Sequence, residues 1–550
     1  MNTAMKKYTV LAILASMCGV PALAQNALPS RTLTIEGSFN PQATQAGKIM
    51  PVPDKPRLKP QDTKVSYLTD TPSETTRLRQ PMAVFSTVSD DVEPETYQGV
   101  VRFGYGLRNL HDGILDFGWR MSDRDFLKVA GQMDGWSSEP DGDWRSNMFN
   151  TGLKVDYKHR FDSFEVGADA GYSHTSFNYR PGEMMDSAMM AASMLTQRIN
   201  RADVSLNAEG RSGDVSWNAS VTGLWLLHDH LIMDNVAGDD RKESQLRSDF
   251  ALSMPMLDGT AGVDVSFRRL SYDWSTKSGK NYVNSSSLAV SPFWSGSISD
   301  MDLYLGMNLN LHTRIGHRFL ASPMARMTYH LRDDFSVLAG LTGGLIENDI
   351  RALESISPYF SNEEQIKDGY TLVNMSAGVQ YEQGTWLTLT GNMGYRRTLD
   401  EVFQVAKSGK LVTSALKQQN SNVLYVKINA DMQFTDRTQV RFDFTYNNYM
   451  GQYPGRKMEL KPAFDMSLYS RAGIAKGLDA MLTYRLMLFN WIDGVAMPSV
   501  NDLALTLDYD LNKDLSLYVT ANKLAGGNYY YYAGYRALEP AFILGATYRF

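Results

Sequence analysis

The stretch Leu227-His228-Asp229-His230, followed by Asp234, Asp239 and Asp240, comes nearest to a reactive centre in residue type and spacing. Two imidazoles beside carboxylates could hold a metal ion, or activate a water for hydrolysis with one group as base and another orienting it. Spacing tempers this reading. His228 and His230 stand at i and i+2 of an emerging strand and share one face at best, and an acidic loop tip is ordinarily solvated or holds calcium loosely. A second candidate is rich in sulfur: Met184, Met185, Met189, Met190 and Met194 lie among alanines and acids. A short helix would gather most of them on one broad side, a soft surface for packing into a cavity or onto a partner. Copper held by thioethers is the alternative chemistry, but the loop has no histidine or cysteine to join them. Neither stretch forms a catalytic or cofactor-binding constellation, so no enzyme and no cofactor are expected.

Both candidates sit in long connections of a chain that otherwise alternates. Ala202, Val204, Leu206 and Ala208 interleave with Asp203, Ser205, Asn207 and Glu209, and after the turn Gly210 to Asp214 come Val215, Trp217, Ala219 and Val221 against Ser216, Asn218, Ser220 and Thr222. The same division recurs at Phe164 to Tyr172, Val426 to Phe434, Val440 to Tyr446 and Leu515 to Ala521. Period-two alternation gives each strand one apolar and one polar face. Connections alternate too. Short turns at 161–163, 210–214, 257–259, 297–300, 332–333, 382–384, 435–438 and 512–513 separate long excursions at 180–198, 226–242, 347–370, 399–421 and 525–538. That asymmetry of tight turns and long loops belongs to a transmembrane antiparallel up-and-down β-barrel, all-β, of about 22 strands, with 16–22 as the range the boundaries allow.

The two ends of the chain agree with an envelope destination. Phe542, Leu544, Ala546, Tyr548 and Phe550 fall on one face of a final strand that stops on an aromatic residue, and this ending resembles the assembly signal of Gram-negative outer-membrane proteins. At the start, Lys6 and Lys7 precede an apolar run from Tyr8 to Val20, and Ala22-Leu23-Ala24 suits signal-peptidase cleavage before Gln25. Residues 1–24 therefore read as a signal peptide, 25–95 as an arm and 96–550 as the barrel. The one cysteine, Cys18, lies in the signal segment, so disulfides, cysteine metal sites and thiol nucleophiles are excluded from the mature chain. Lipid attachment at Cys18 is the rival reading, disfavoured by the bulk of Met17 before it.

Composition sets further bounds. The formal charge is −6, and removing the two signal lysines makes it −8; with no basic face interleaved with aromatics, nucleic acid is not an expected partner. Mean hydropathy is −0.31, and no apolar run after residue 25 reaches the roughly 20 residues of a spanning helix. A barrel hides its hydrophobicity in alternate positions, which reconciles this with 29 Tyr, 23 Phe and 9 Trp. A lumen of about 22 strands is wide, and barrels of that size are plugged. Long loops are expected to fold inward over an interior carrying pairable charges: Lys154, Asp156, Lys158 and Arg160 on one strand, Asp203 and Glu209 on another. Tyr529 to Tyr532 reads as a membrane-interface girdle, with a carbohydrate platform as the alternative.

Residues 26–95 are polar and rich in proline, which disfavours helices and interior strands. They suit an extended linker, or a periplasmic arm that docks by strand addition. Four stretches resemble one family. They are Phe39-Asn40-Pro41 with Gln45 to Ile49 and Pro51-Val52-Pro53; Gly99-Val100-Val101-Arg102-Phe103-Gly104-Tyr105-Gly106; Ser357-Pro358-Tyr359-Phe360 before Tyr370 to Tyr381; and Asn522-Lys523 with Tyr529 to Tyr532 and the final Tyr548-Arg549-Phe550. In these the chain is similar to TonB-dependent-receptor-like outer-membrane barrels of Bacteroidota, in the branch without a plug domain. The resemblance implies a non-enzymatic barrel in the Gram-negative outer membrane with periplasmic termini, set in lipid and lipopolysaccharide and inserted by the barrel assembly machinery. A folded plug of well over a hundred residues would not fit in the arm. Arg31 to Ile35 passes only weakly for a TonB-contact segment. The expected role is a scaffold or accessory binding an envelope protein through residues 26–95 and the loops, with a passive or partner-driven porter for a bulky nutrient as the alternative and an outer-membrane hydrolase as a third.

Overall fold

The structure is a computed structural model. It describes residues 99–550 apart from 140–144, 183–195, 230–231, 234–235, 238–239, 275–280, 314–318, 362–364, 409–410, 452–460, 489–490, 493–494, 533 and 538. The signal segment, the arm, the methionine cluster, His230, Asp234 and Asp239 thus lie outside the described residues.

Twenty-two antiparallel strands close into a single barrel, the expected architecture. Closure is made by the two ends of the sheet. Gly99–Gly106 pairs on one side with His111–Arg120 and on the other with the last strand, Ala541–Arg549, in the register Val100↔Arg549 to Gly106↔Ile543. One tyrosine pins this seam. Tyr518 lies across Gly104 and Gly545, where any Cβ would strike its phenol, while its hydroxyl donates to Asp112 Oδ1 at 2.9 Å and the Arg102 guanidinium stands 3.4 Å above its ring. Glycine is needed at both positions because the ring occupies the space a side chain would take.

The two faces separate as alternation requires. Leu206 and Leu544 are 60% and 64% exposed on the outer surface, and Val204, Val221, Phe250, Leu517 and Tyr548 share that face. Their lumen-facing neighbours are charged and paired: Lys154 Nζ lies 2.7 Å from Asp156 and 3.7 Å from Asp169 of the adjacent strand, and Glu165 takes Lys158 at 3.5 Å and Arg160 at 3.3 Å. Burying apolar surface against hydrocarbon and charges against each other satisfies both solvents with one sequence.

One expected loop is corrected. Residues 399–421 do not leave the sheet; Leu387–Ser408 and Leu411–Thr435 continue as a long hairpin, with Glu401↔Gln419 and Ser408↔Val412 in register. A bulge hides this continuity in the sequence. Register shifts between Thr398 and Glu401, where Asp400 adopts φ 51°, so the apolar period slips by one residue and reads as an end to the strand.

Candidate functional site

The candidate site is the mouth at the long-loop end, where loops from widely separated strands fold inward and build a core of their own. Its foundation is one short helix. Ile350–Ile356 is capped by Asp349, whose Oδ1 accepts from the Ala352 amide at 2.7 Å. Such a cap is worth about 1 kcal/mol. Three more contacts weld the helix start to the wall. Asp349 Oδ2 accepts from Arg268 Nη2 at 2.8 Å and Gln245 Nε2 at 2.7 Å, and Glu243 Oε2 accepts from the Ile350 amide at 2.7 Å. Glu347, just before the helix, takes Arg247 at 3.0 Å and Arg268 at 2.9 Å. Lumen-facing Glu243, Gln245, Arg247 and Arg268 thus present one carboxylate, one amide and two guanidinium groups to a helix that docks where those partners lie.

Further along, the helix places a carboxylate in a closed polar pocket. Glu354 is buried and accepts from Arg201 Nη2 at 2.9 Å and from His228 Nδ1 at 3.2 Å; His228 Nε2 faces Gln197 Oε1 at 3.3 Å. Burial works against the carboxylate charge, but the hydrogen bond from His228 and the Arg201 guanidinium outweigh it and hold Glu354 below the usual carboxylate range. His228 was the strongest sequence candidate for chemistry. It points into the lumen wall, wholly buried, whereas Asp229, next along the same strand, lies on the opposite face. The two are not brought together, and among the described residues no three metal-binding side chains cluster. The working partner of His228 is Glu354, 126 residues away, which alternation alone gives no means of finding.

Beyond the helix the chain crosses the mouth. Tyr359 stacks on Tyr535 with ring centroids 3.5 Å apart and planes 8° from parallel, meets Phe177 edge-on at 5.2 Å and Tyr532 at 5.5 Å. These residues leave the wall at three well-separated sectors, on the strands near 164–178, 335–346 and 541–549. The hairpin tip joins them. Phe360-Ser361 pairs in parallel with Ser414-Ala415, Arg180-Pro181 pairs with Leu411-Val412, and the Tyr535 hydroxyl donates to the Val412 carbonyl at 2.7 Å. Arg241 is buried between the rings of Trp274 and Phe360, 4.5 Å from each, and donates to the Phe360 carbonyl at 3.4 Å. Burial raises the Tyr359 and Tyr535 phenols above the usual range and takes Tyr179 up to about 12, so all three stay neutral hydrogen-bond donors.

The packing of these loop residues corrects one expectation. Tyr529, Tyr531 and Tyr532 are buried in the mouth core, and the Tyr531 hydroxyl donates to Asp502 at 2.7 Å; they are not an interface girdle. Phenols need both apolar contact and one polar partner, which the loop core supplies as well as a membrane surface does. On the closing strand Phe542, Leu544, Tyr548 and Phe550 are exposed on the outer face and Ala546 shares it, half-buried.

The barrel can be compared as a whole. The siderophore receptor PirA from Acinetobacter baumannii superposes with TM-score 0.64 at 12% identity, over 82% of this chain and 80% of that one. A ferric enterobactin receptor from Pseudomonas aeruginosa gives 0.61 at 14%, over 82% and 81%. The copper transporter OprC gives 0.61 at 13%, over 82% and 80%. This chain has the fold of a 22-stranded outer-membrane β-barrel. At such identities the likeness extends to fold alone. No family model matches the chain, and no curated protein matches it in sequence.

Proposed function

We propose that the chain is a non-enzymatic outer-membrane barrel, held shut at its outer mouth, that serves as a scaffold or accessory for other envelope proteins. In this reading the long-loop end faces outward and both termini are periplasmic. The closing strand, with Phe542, Leu544, Ala546, Tyr548 and Phe550, is its assembly signal, and residues 26–95 with the Met184 to Met194 loop supply the docking surfaces. We place it in the plugless branch of TonB-receptor-like barrels of Bacteroidota. One observation supports the proposal: Tyr359, Tyr535 and Phe177 meet from three sectors of the wall, a loop-built core that we read as a seal over the wide lumen. A freely permeable pore needs a continuous path. A barrel sealed by packed aromatics does not offer one.

The second reading is a gated porter. It is favoured by the fold shared with siderophore receptors and a copper transporter, and by the charged lumen wall around Lys154 and Asp169. The hydrolase reading loses its geometry, since His228 and Asp229 face opposite ways.

Two measurements separate these roles. A scaffold is electrically silent in planar bilayers and retains a stoichiometric envelope protein through mild detergent extraction, losing it when residues 26–95 are deleted. Steady solute-sized conductance from the purified barrel, with no co-purifying protein, would overturn the scaffold in favour of the porter.

A further inference from the structure

Two carboxylates meet where the helix Ile350–Ile356 begins, one from the wall and one from the loop. Glu243 lies thirteen positions from Met256 at the short turn, beyond the roughly 9–11 residues a strand needs to cross a membrane, and so belongs to the mouth. It is 3% exposed. The side-chain nitrogen of Gln245 donates to both acids, to Glu243 Oε1 at 3.0 Å and to Asp349 Oδ2 at 2.7 Å, which gathers two like groups around one donor. The other donor to Glu243 is the Ile350 amide at 2.7 Å.

The guanidinium groups nearby are turned to other partners. Arg268 sets one terminal nitrogen on Glu347 at 2.9 Å and the other on Asp349 at 2.8 Å, while Arg247 goes to Glu347 at 3.0 Å and Arg351 donates to the carbonyls of Ala202 and Trp225. Among the described residues, then, Glu243 is hydrogen-bonded by neutral donors alone, with Arg268 and Arg351 acting on it from farther off. Asp368, which accepts from the Asn348 amide at 3.0 Å, joins Glu243, Glu347 and Asp349 as a fourth acid against three arginines. A wider circle adds Arg201 and Arg241 together with Asp203 and Glu354, and the excess of one carboxylate remains. Lys367, next to Asp368, is exposed. A buried carboxylate beside a like charge, with no cation in contact, takes up a proton. Burial first and Asp349 second push the Glu243 carboxyl from 4.5 up to about 8.

We propose that this junction is a proton latch: docking of the helix against the wall takes one proton from the water at the mouth onto the Glu243 and Asp349 pair, and alkaline medium releases the helix. Its bearing on the mouth rests on the loop-built seal, since Tyr359 follows the helix directly. The sign is fixed by the two states. Undocked, the Glu243 carboxyl loses its proton above 4.5; docked, it keeps it to about 8. Its contribution to docking is full below 4.5, drains by about tenfold per pH unit as pH rises, and is gone above about 8. Neighbouring groups leave a clear window. Burial holds His228 neutral, so its opposing effect lies below its ordinary 6.5, and Glu354 acts below 4.5. Between 6.5 and about 8 the slope belongs to Glu243.

The test follows amide exchange of Leu353 and Ser357 in the full mature chain in lipid nanodiscs, each rate divided by that of an unfolded peptide of the same sequence. These amides close the helix, donating to the Asp349 and Leu353 carbonyls. In the parent their protection falls about tenfold per pH unit from 6.5 to about 8. In Glu243→Gln, which keeps an acceptor for the Ile350 amide but cannot ionise, protection is level over that range, and Asp349→Asn moves the fall to lower pH. Level protection in the parent, or an unchanged slope in both variants, overturns the latch; the parent's slope alone decides it if the variants fail to fold. Conductance in planar bilayers tests the seal separately. A proton-linked helix in a barrel that stays silent in alkaline medium keeps the latch and removes the helix from the seal, whereas alkaline conductance with level protection removes the latch and keeps the seal.

Discussion

Tyr359 lies flat on Tyr535 at 3.5 Å, although the two leave the barrel wall from loops 176 residues apart in sequence. The contact spans the mouth, and its loss has a defined consequence. Truncating a buried aromatic to alanine costs about 3–5 kcal/mol, most of it borne by the loop core because the membrane wall is unaffected. Tyr359→Ala is therefore expected to keep the unheated gel mobility of a folded barrel while adding conductance in planar bilayers. A variant as silent as the parent would show that the seal lies elsewhere.

Acid should loosen the same seal. The Glu354 carboxyl is held below its ordinary value of 4.5, so its stabilisation is complete above that value and drains away as pH falls through the lower folded value. Amide protection of residues 350–356 should fall as the pH drops below 4.5 and Glu354 takes up its proton. Glu354→Gln strands His228 and Arg201 without their counter-charge, at about 3–5 kcal/mol, and should be weakly protected at all pH values. Identical acid profiles for parent and variant would discard this account.

Lys523 is shifted downward as well, but here it is the charged form that folding disfavours. Burial, with Arg536 nearby, lowers its ammonium from 10.5 to about 8. Folding then disfavours the charged form: the cost is full below about pH 8, and stability rises as pH climbs from there toward 10.5. Lys523→Met should be more stable than the parent at neutral pH and lack that rise. Parallel stability curves for the two proteins would remove burial of this amine from the explanation.

The seam is the most sensitive point for assembly. Gly545→Ala sets a methyl against the buried Tyr518 ring and against the Phe103 backbone carbonyl, which cannot swing aside. The expected outcome is a sharp drop in folded barrel recovered from the outer membrane, with partial recovery in the double variant Gly545→Ala with Tyr518→Ser. Normal yield from the single variant would mean that the closing strands tolerate a register the present packing does not use.

Alternation made the barrel legible without coordinates. Val204 and Leu206 had to face hydrocarbon and Asp203 and Glu209 the lumen, because a strand's side chains change face at every residue and no polar group is stable against lipid. Short turns such as Leu257-Asp258 announced themselves by composition and take positive φ, 51° and 55°. Where the period slips, at the Asp400 bulge, a strand reads as a loop. Loops have no period at all. Nothing in the spacing of His228 and Asp229 says that one turns inward to Glu354 and the other out, and nothing around Tyr529 to Tyr532 distinguishes a membrane girdle from the core of a lid. Local sequence determines which face a residue takes, since that depends on its immediate neighbours. Closure of the barrel decides which distant loops meet above the lumen, because only the completed cylinder brings Phe177, Tyr359 and Tyr535 within reach of one another.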